Sequence, residues 1–360
     1  MSGGRVKKAP TIMEIAKDLG VSPSTVSRAF TAPRLLKPET VERVRAAAAE
    51  RGYVPNVHAR ALSTGVPRTI GLIVPDIANP FFPPMIRAAQ RAAEETGHTV
   101  LIADTDGDVD REKRMIERLA PQSESLIIAS SRLPAAQLKE LTARRRVLFI
   151  NRDEPETARI LVSSRDALGQ ITAKLLELGH ERFVYVGGPE GSWSDGERHG
   201  IVVESLAGTR AVLTALRIPS GTYADTMAAA DQILAGTPTA VIAFDDVIAH
   251  GVMDLLSHRG LSVPDQVSVV GCDDTLALTT QPPLTSIALK AADAARLAVR
   301  TVVEGQVGEM LTPQRIALQG DLVQRATVGT VGKLRPAAPA STTPSPHATG
   351  TEEGSTRASM

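Results

Sequence analysis

Between residues 22 and 28 the chain sets hydroxyls at Ser22, Ser24, Thr25 and Ser27 and a guanidinium at Arg28. If this stretch is helical, Val26 and the Ala29–Phe30 pair turn inward. Ser24, Thr25, Ser27 and Arg28 then stay outside. Hydroxyls and the N–H groups of a helix start suit phosphate oxygens, and an arginine can bridge O6 and N7 of guanine. The bland alternative is a small helical bundle with ordinary solvated charges.

The flanking residues supply the turn chemistry that such a helix needs. Thr11 can cap a first helix, with Glu14 three residues on as its capping-box partner. Ile12, Ile15, Ala16 and Leu19 share one face of it. Gly20 offers the positive φ that stops a helix. Ser22 is then a second N-cap, and Pro23 stands at N1, where a missing N–H is harmless. A third helix is predicted over Pro38–Arg51, with Val41, Val44 and Ala48 inward. This is the pattern of a helix-turn-helix, whose second helix enters the major groove. Charge agrees. Residues 1–60 hold eleven Lys/Arg and five Asp/Glu, a balance of +6, while the whole chain holds 40 of each. The remainder therefore carries −6, so a basic module is hidden inside a neutral total.

The 360 residues allow two or three domains. Residues 68–328 alternate short apolar runs with longer amphipathic ones. Strands are predicted at 69–74, 100–104, 125–129, 147–151, 160–163, 183–186, 211–216, 240–244 and 267–271. Helices are predicted at 82–95, 110–119, 135–143, 165–178, 195–206, 223–235, 248–259 and 291–304. The alternation implies α/β architecture with parallel sheets and helices on both faces. Nine strands suggest two lobes, with ligands held beyond the strand C-termini. Residues 333–360 are rich in Pro, Ala, Ser, Thr and Gly without periodicity, which predicts a disordered tail.

Several functions find no support. Cys272 is the lone cysteine, which excludes an internal disulfide and a thiolate zinc cluster. No Walker motif, Gly-x-Ser-x-Gly elbow or metal-spaced histidine pair occurs, and Gly187–Gly191 is no dinucleotide fingerprint. An enzyme is not expected, nor is a cofactor or a metal. The N-terminus has no apolar run after its charges, and no apolar run reaches membrane-spanning length. The expected location is the cytoplasm, at the nucleoid. A periplasmic sugar-binding protein would fit the core alone but not the basic N-terminus.

Residues 11–65 resemble the headpiece of the lactose-repressor (LacI/GalR) family of bacterial regulators. The resemblance lies in Ile15-Ala16, Gly20-Val21-Ser22, Thr25-Val26-Ser27-Arg28, Glu39-Thr40, Arg43-Val44, Gly52-Tyr53-Val54-Pro55-Asn56 and Ala59-Arg60-Ala61-Leu62. It continues through Ile70–Phe82 to about residue 328. The resemblance implies a helix-turn-helix domain over 11–55 after a flexible 1–10, and a hinge helix over 56–65. A two-lobed periplasmic-binding-protein-like core follows over 66–330, then the tail over 331–360. It places Pro23, Ser24 and Arg28 at base-reading positions, and Ser22, Thr25 and Ser27 at phosphate-contacting ones. Thr11, Thr31, Tyr53, Asn56, His58 and Ala59 complete the DNA-facing set. Leu62 matches a leucine that wedges into the central base step from the minor groove, unstacking it and bending the duplex. Thr31 stands where the family often has Asn. Lys37 stands where it has a capping Ser. Pro23 has no donor, so it can read only a thymine methyl or DNA shape.

The same resemblance implies a small-molecule effector between the lobes, held by Asn79, Phe81, Phe82, Asn151, Arg152, Trp193, Arg198, Asp245 and Asp273. That set suits a sugar-like polyol: carboxylates and amides share hydroxyl hydrogen bonds, arginine donates in a fork, and rings cover apolar faces. Asp246 reads as a helix N-cap and Cys272 as a small buried residue. Asp245 replaces a usual Asn, and the added charge opens the site to an amino-bearing ligand. The expected whole is a repressor that binds a palindromic operator on double-stranded DNA as a homodimer, with no membrane partner. Residues 331–360 contain one leucine, Leu334, so they hold no heptad for a tetramer. A protein co-regulator in place of the small effector remains the alternative reading.

Overall fold

A computed structural model describes residues 10–31, 33–53, 68–305 and 309–332. The predicted hinge, 56–65, lies outside the described residues, and so does the tail from 333 onward.

The N-terminal unit is three helices, α1 (Ile12–Leu19), α2 (Pro23–Thr31) and α3 (Pro38–Glu50). They close over Ile15, Ala16, Val26, Ala29, Val44 and Ala48. Val41 is only half-buried. The capping box forms as predicted: the Thr11 N–H donates to Glu14 Oε2 at 2.7 Å, and the Glu14 N–H donates to Thr11 Oγ1 at 3.4 Å. Gly20 takes φ 65° and its N–H closes α1. Lys37 precedes α3 without a side-chain cap, as its lack of an acceptor requires.

The core holds two parallel sheets. The first has the order β11-β5-β4-β3-β1-β2, built from β1 (Thr69–Val74), β2 (Thr99–Asp104), β3 (Ser125–Ala129), β4 (Val147–Ile150), β5 (Ala158–Ser163) and β11 (Gln314–Gln319). Helices α4 (Phe82–Glu95) and α12 (Ala291–Glu304) pack on one face. Helices α5 (Val109–Leu119) and α6 (Ala135–Arg144) cover the other. The second sheet has the order β7-β6-β8-β9, from β6 (Arg182–Gly187), β7 (Val212–Arg217), β8 (Ala240–Ala243) and β9 (Ser268–Val270). Helices α7 (Arg165–Glu177) and α8 (Trp193–Leu206) lie on one side. On the other are α9 (Tyr223–Ala228), α10 (Ala230–Leu234) and α11 (Asp246–His258). With both faces covered, the central strands are buried along their length, which is why they read as unbroken apolar runs.

The chain passes between lobes three times: after β5, between β10 (Ser286–Ala288) and α12, and between β11 and β12 (Asp321–Val323). The passages touch. The Gly320 N–H donates to the Ser163 carbonyl at 2.8 Å, and Leu289 packs against the cores of both lobes. A Cβ on Gly320 would come within 2.8 Å of Leu289 and 3.1 Å of the Ala288 carbonyl, so the crossing leaves room only for glycine.

Three expectations are corrected. Residues 223–235 are two short helices that meet at Ala229. Strands β10, β11 and β12 were absent from the sequence reading. β10 and β12 have three residues each, and β11 is a half-exposed sheet edge with polar ends. Val331 falls inside the tail of 331–360 drawn from the resemblance, yet it donates its N–H to the Leu178 carbonyl at 3.2 Å.

Candidate functional site

Two polar surfaces stand out. The first lies on α2. Ser22 caps the helix, taking the Thr25 N–H on Oγ at 3.1 Å, and its hydroxyl lies 2.7 Å from Ser24 Oγ and 2.8 Å from Thr25 Oγ1. Three hydroxyls thus cluster at the positive end of a helix whose first turn carries no acid. Ser22, Pro23, Ser24 and Arg28 are exposed, Thr25 and Ser27 half-buried, and Thr11 exposed. The ring of Tyr53, placed in the DNA-facing set, packs 6.0 Å from that of Phe30 against the core of the bundle. Asn56, His58, Ala59 and Leu62 lie outside the described residues, as does the side chain of Thr31.

The second surface is a cavity of about 410 Å³ between the lobes. The ends of β1, β3 and β4 line it from one lobe and the ends of β6, β8 and β9 from the other, so it sits beyond strand C-termini. Two polar contacts define it. Arg198, on α8, donates Nη2 to Asp273 Oδ1 at 3.3 Å and Nη1 to the Phe244 carbonyl, with its guanidinium 4.6 Å from the centre of the Phe244 ring. Asn79, after β1, donates Nδ2 to Asp245 Oδ2 at 3.2 Å and joins the two lobes. The other Asn79 atom, Oδ1, accepts from the Phe81 N–H at 3.0 Å, and Asp245 Oδ1 accepts from the Ile248 N–H at 2.9 Å as the N-cap of α11.

Burial sets the electrostatics. It pushes the Asp273 carboxyl well above the usual range and raises Asp245, with Arg198 opposing both shifts. Burial works against charge on Arg198, but Cys272, Asp273, Tyr185 and Asp245 around it outweigh that and raise its pKa. One guanidinium therefore stands between two buried carboxylates, and Cys272 beside them is itself buried. Backbone strain gathers at the same place. Ser130, Asn151 and Asp273 line the cavity with φ of 50°, 54° and 108°, a region that ordinary side chains avoid.

The comparisons agree with this geometry. Residues 11–56 match the family described as bacterial regulatory proteins, lacI family, and residues 172–328 match a periplasmic binding protein-like domain. The HTH-type transcriptional regulator DegA of Bacillus subtilis (strain 168) is 31% identical over 337 residues, 88% of this chain and 97% of its own. The chain belongs to the LacI family of bacterial regulatory proteins. It is a DNA-binding transcriptional regulator, and its relatives are regulators rather than enzymes. Its fold is that of the Lac repressor, solved as a dimer bound to operator and the anti-inducer ONPF. That structure has TM-score 0.80 and 26% identity over 90% of this chain and all of the other. The transcriptional regulator CelR in complex with cellobiose superposes with TM-score 0.64 and 27% identity, over 88% and 99%. No helix among the described residues is long and apolar enough to cross a membrane.

Seven of the nine predicted LacI-type effector residues line the cavity: Asn79, Phe81, Phe82, Asn151, Arg198, Asp245 and Asp273. Arg152 does not. It lies 3.6 Å from Glu154 on its own lobe. Trp193 does not either. As the first residue of α8 it is half-buried beside Ser192 and Ser194, which do line the cavity. The cap assignment is also corrected. Asp245, not Asp246, caps α11, and Asp246 ties three segments together, accepting from Ser286 Oγ at 2.6 Å and from the Thr275 and Leu276 N–H groups at 2.8 and 3.1 Å.

Arg132, Phe244, Tyr223 and Thr222 line the cavity and were missed. Arg132 belongs to a loop held by buried Glu112, which accepts from Ser131 Oγ at 2.5 Å and the Arg132 N–H at 3.0 Å. The signal for Phe244 was Gly188. A Cβ there would lie 2.4 Å from the Phe244 ring, so the glycine leaves that ring its place.

Proposed function

We propose that the protein is a repressor that binds a palindromic operator as a homodimer in the cytoplasm, released or recruited by a small polar, sugar-like metabolite in the cleft. The cleft carries this reading. Its lining comes from both lobes, and the Asn79–Asp245 bond already spans them, so any molecule that binds there touches both at once. A cavity of about 410 Å³ falls within the usual size range for small ligands, ~300–1,000 Å³.

In this reading residues 11–55 read DNA, 56–65 form the hinge and 66–330 sense and dimerise. Arg28, Ser24 and Pro23 meet base edges; Ser22, Thr25 and Ser27, with Thr11, Thr31 and Tyr53, meet the backbone. Asn56, His58 and Ala59 belong to the hinge contact, and Leu62 is the wedge. A ligand that changes the lobe angle alters how two hinges meet, with a coupling on the order of 1–3 kcal/mol.

The test is sequential. Operator selection from random DNA defines the site, and light scattering on and off that DNA gives the stoichiometry. A thermal-shift screen of metabolites is then followed by gel-shift titration of the hits. A palindromic site, a dimer and a hit that changes operator affinity are expected. A monomer on DNA would sink the dimer, and hits that stabilise the protein without altering operator affinity would sink the coupling.

A further inference from the structure

The polar end of the cleft holds more carboxylate than its cations balance. Asp245 is 2% exposed and the Asp273 side chain 6%, and both line the cavity. Arg198, the cation beside them, is already committed to the Phe244 carbonyl and to Asp273 Oδ1. Arg132, the other arginine of the cavity, donates Nη1 to the Gly107 carbonyl at 2.7 Å, and its backbone N–H donates to buried Glu112 at 3.0 Å. Asp76 adds a third carboxylate to the lining. Of the helix starts at the cavity, Asp245 caps α11, Ser192 caps α8 and Thr222 caps α9, while α4 has no side-chain cap and carries Pro83 and Pro84, which have no N–H, in its first turn.

Two acceptors remain open to a ligand. Asp273 Oδ2 takes no hydrogen bond from the described residues. Asp245 Oδ2 holds one neutral donor, the Asn79 amide, at 3.2 Å. Both belong to side chains that are more than nine-tenths buried, where an unbalanced carboxylate is unfavourable without a partner. Phe81, Phe82 and Phe244 wall the same cavity, and aromatic faces attract cations. An anionic ligand would meet three carboxylates. A neutral polyol would satisfy the acceptors and leave the charge uncompensated.

We propose that the effector carries a protonated amine, bound between Asp245 and Asp273, and that Asp245 selects it over an otherwise identical neutral polyol. This rests on the cleft being an effector site. A positively charged donor makes a shorter and stronger hydrogen bond to carboxylate than a hydroxyl does.

The experiment is a thermal-shift screen of the full chain against a metabolite library containing cationic, neutral and anionic compounds. Each hit is then titrated by calorimetry beside its isostere, for example glucosamine beside glucose and N-acetylglucosamine. The expected hits are amines, each bound at least about tenfold more tightly than its neutral isostere. The variant Asp245→Asn keeps a competent helix cap and should bring that ratio close to one. Hits that are neutral or anionic, or an amine preference that Asp245→Asn leaves intact, would overturn the proposal. The isostere ratio on the unaltered protein decides the matter even where the variant fails to fold. A library in which nothing binds overturns the effector reading itself, a result distinct from neutral hits, which overturn only the amine.

Discussion

The headpiece and the cleft use polar residues in opposite ways. On α2 the working groups are adjacent in sequence and face water: Ser22, Ser24 and Arg28 are exposed and lie within seven residues. In the cleft they are buried and distant in sequence: Arg198 meets Asp273 from 75 residues away, and Asn79 meets Asp245 from 166 away. A surface that binds a polyanion needs only a rigid scaffold and exposed donors. A site that encloses a small molecule must bring charges into a poorly solvated space, where each depends on a partner. Damage should therefore spread differently in the two regions.

The sharpest contrast comes from removing one member of the buried cluster. Arg198→Ala leaves Asp245 and Asp273 without their cation, and should destabilise the core by ~3–5 kcal/mol in urea unfolding. A loss below 1 kcal/mol would mean that the carboxylates are already neutral. Asp246 tests the same point by pH. Burial raises its pKa to about 6, with the Ser286 hydroxyl opposing. The native state then binds the extra proton between about pH 4 and 6, so stability falls as pH rises through that window and levels off above it. Asp246→Asn removes this slope. The stability of the unaltered protein minus that of the variant should drop by about 3 kcal/mol between pH 4 and pH 7; a constant difference would contradict the raised pKa.

Exposed residues should give cleaner losses. Arg28→Ala should weaken operator binding by ~1–3 kcal/mol with no change in core melting, and should relax sequence preference. An equal loss on random DNA would make Arg28 a phosphate contact. Smallest is Thr11→Ala, which removes the capping box and should cost about 1 kcal/mol in the headpiece alone. Amide exchange in α1 reports it, and faster exchange in the core as well would show that the two regions are not independent.

The same contrast decides what could be read in advance. Capping box, helix stop and second cap were legible because each is local: Thr11 with Glu14, Gly20 alone, Ser22 with Pro23. Strands β1, β3, β4, β5, β6 and β8 were legible because burial on both faces leaves unbroken apolar runs, whereas β2 and β7 are sheet edges with mostly half-buried or exposed residues. Strand β11, with Gln314 and Gln319 at its ends, has no such run, since only β5 borders it. The cleft was legible as a set of strand ends but not as a set of directions. Asp245 and Asp246 are alike in sequence, yet a one-residue difference in where α11 starts sends one to the cavity and the other to Ser286. Trp193 fell to the same ambiguity, and Arg132 and Phe244 carried no motif of their own.

The crossing at Gly320 has a consequence for how the molecule is made. Strand β11 pairs with β5 in the register Gln314 to Ala158, so the first sheet is completed by residues that emerge after the whole second lobe. Helix α12, which covers one face of that sheet, also arrives late. During synthesis the lobe begun first is therefore the lobe finished last, and the edge of β5 waits open while about 150 residues are added. A chain stopped before residue 314 would keep that edge bare and ready to pair with another chain.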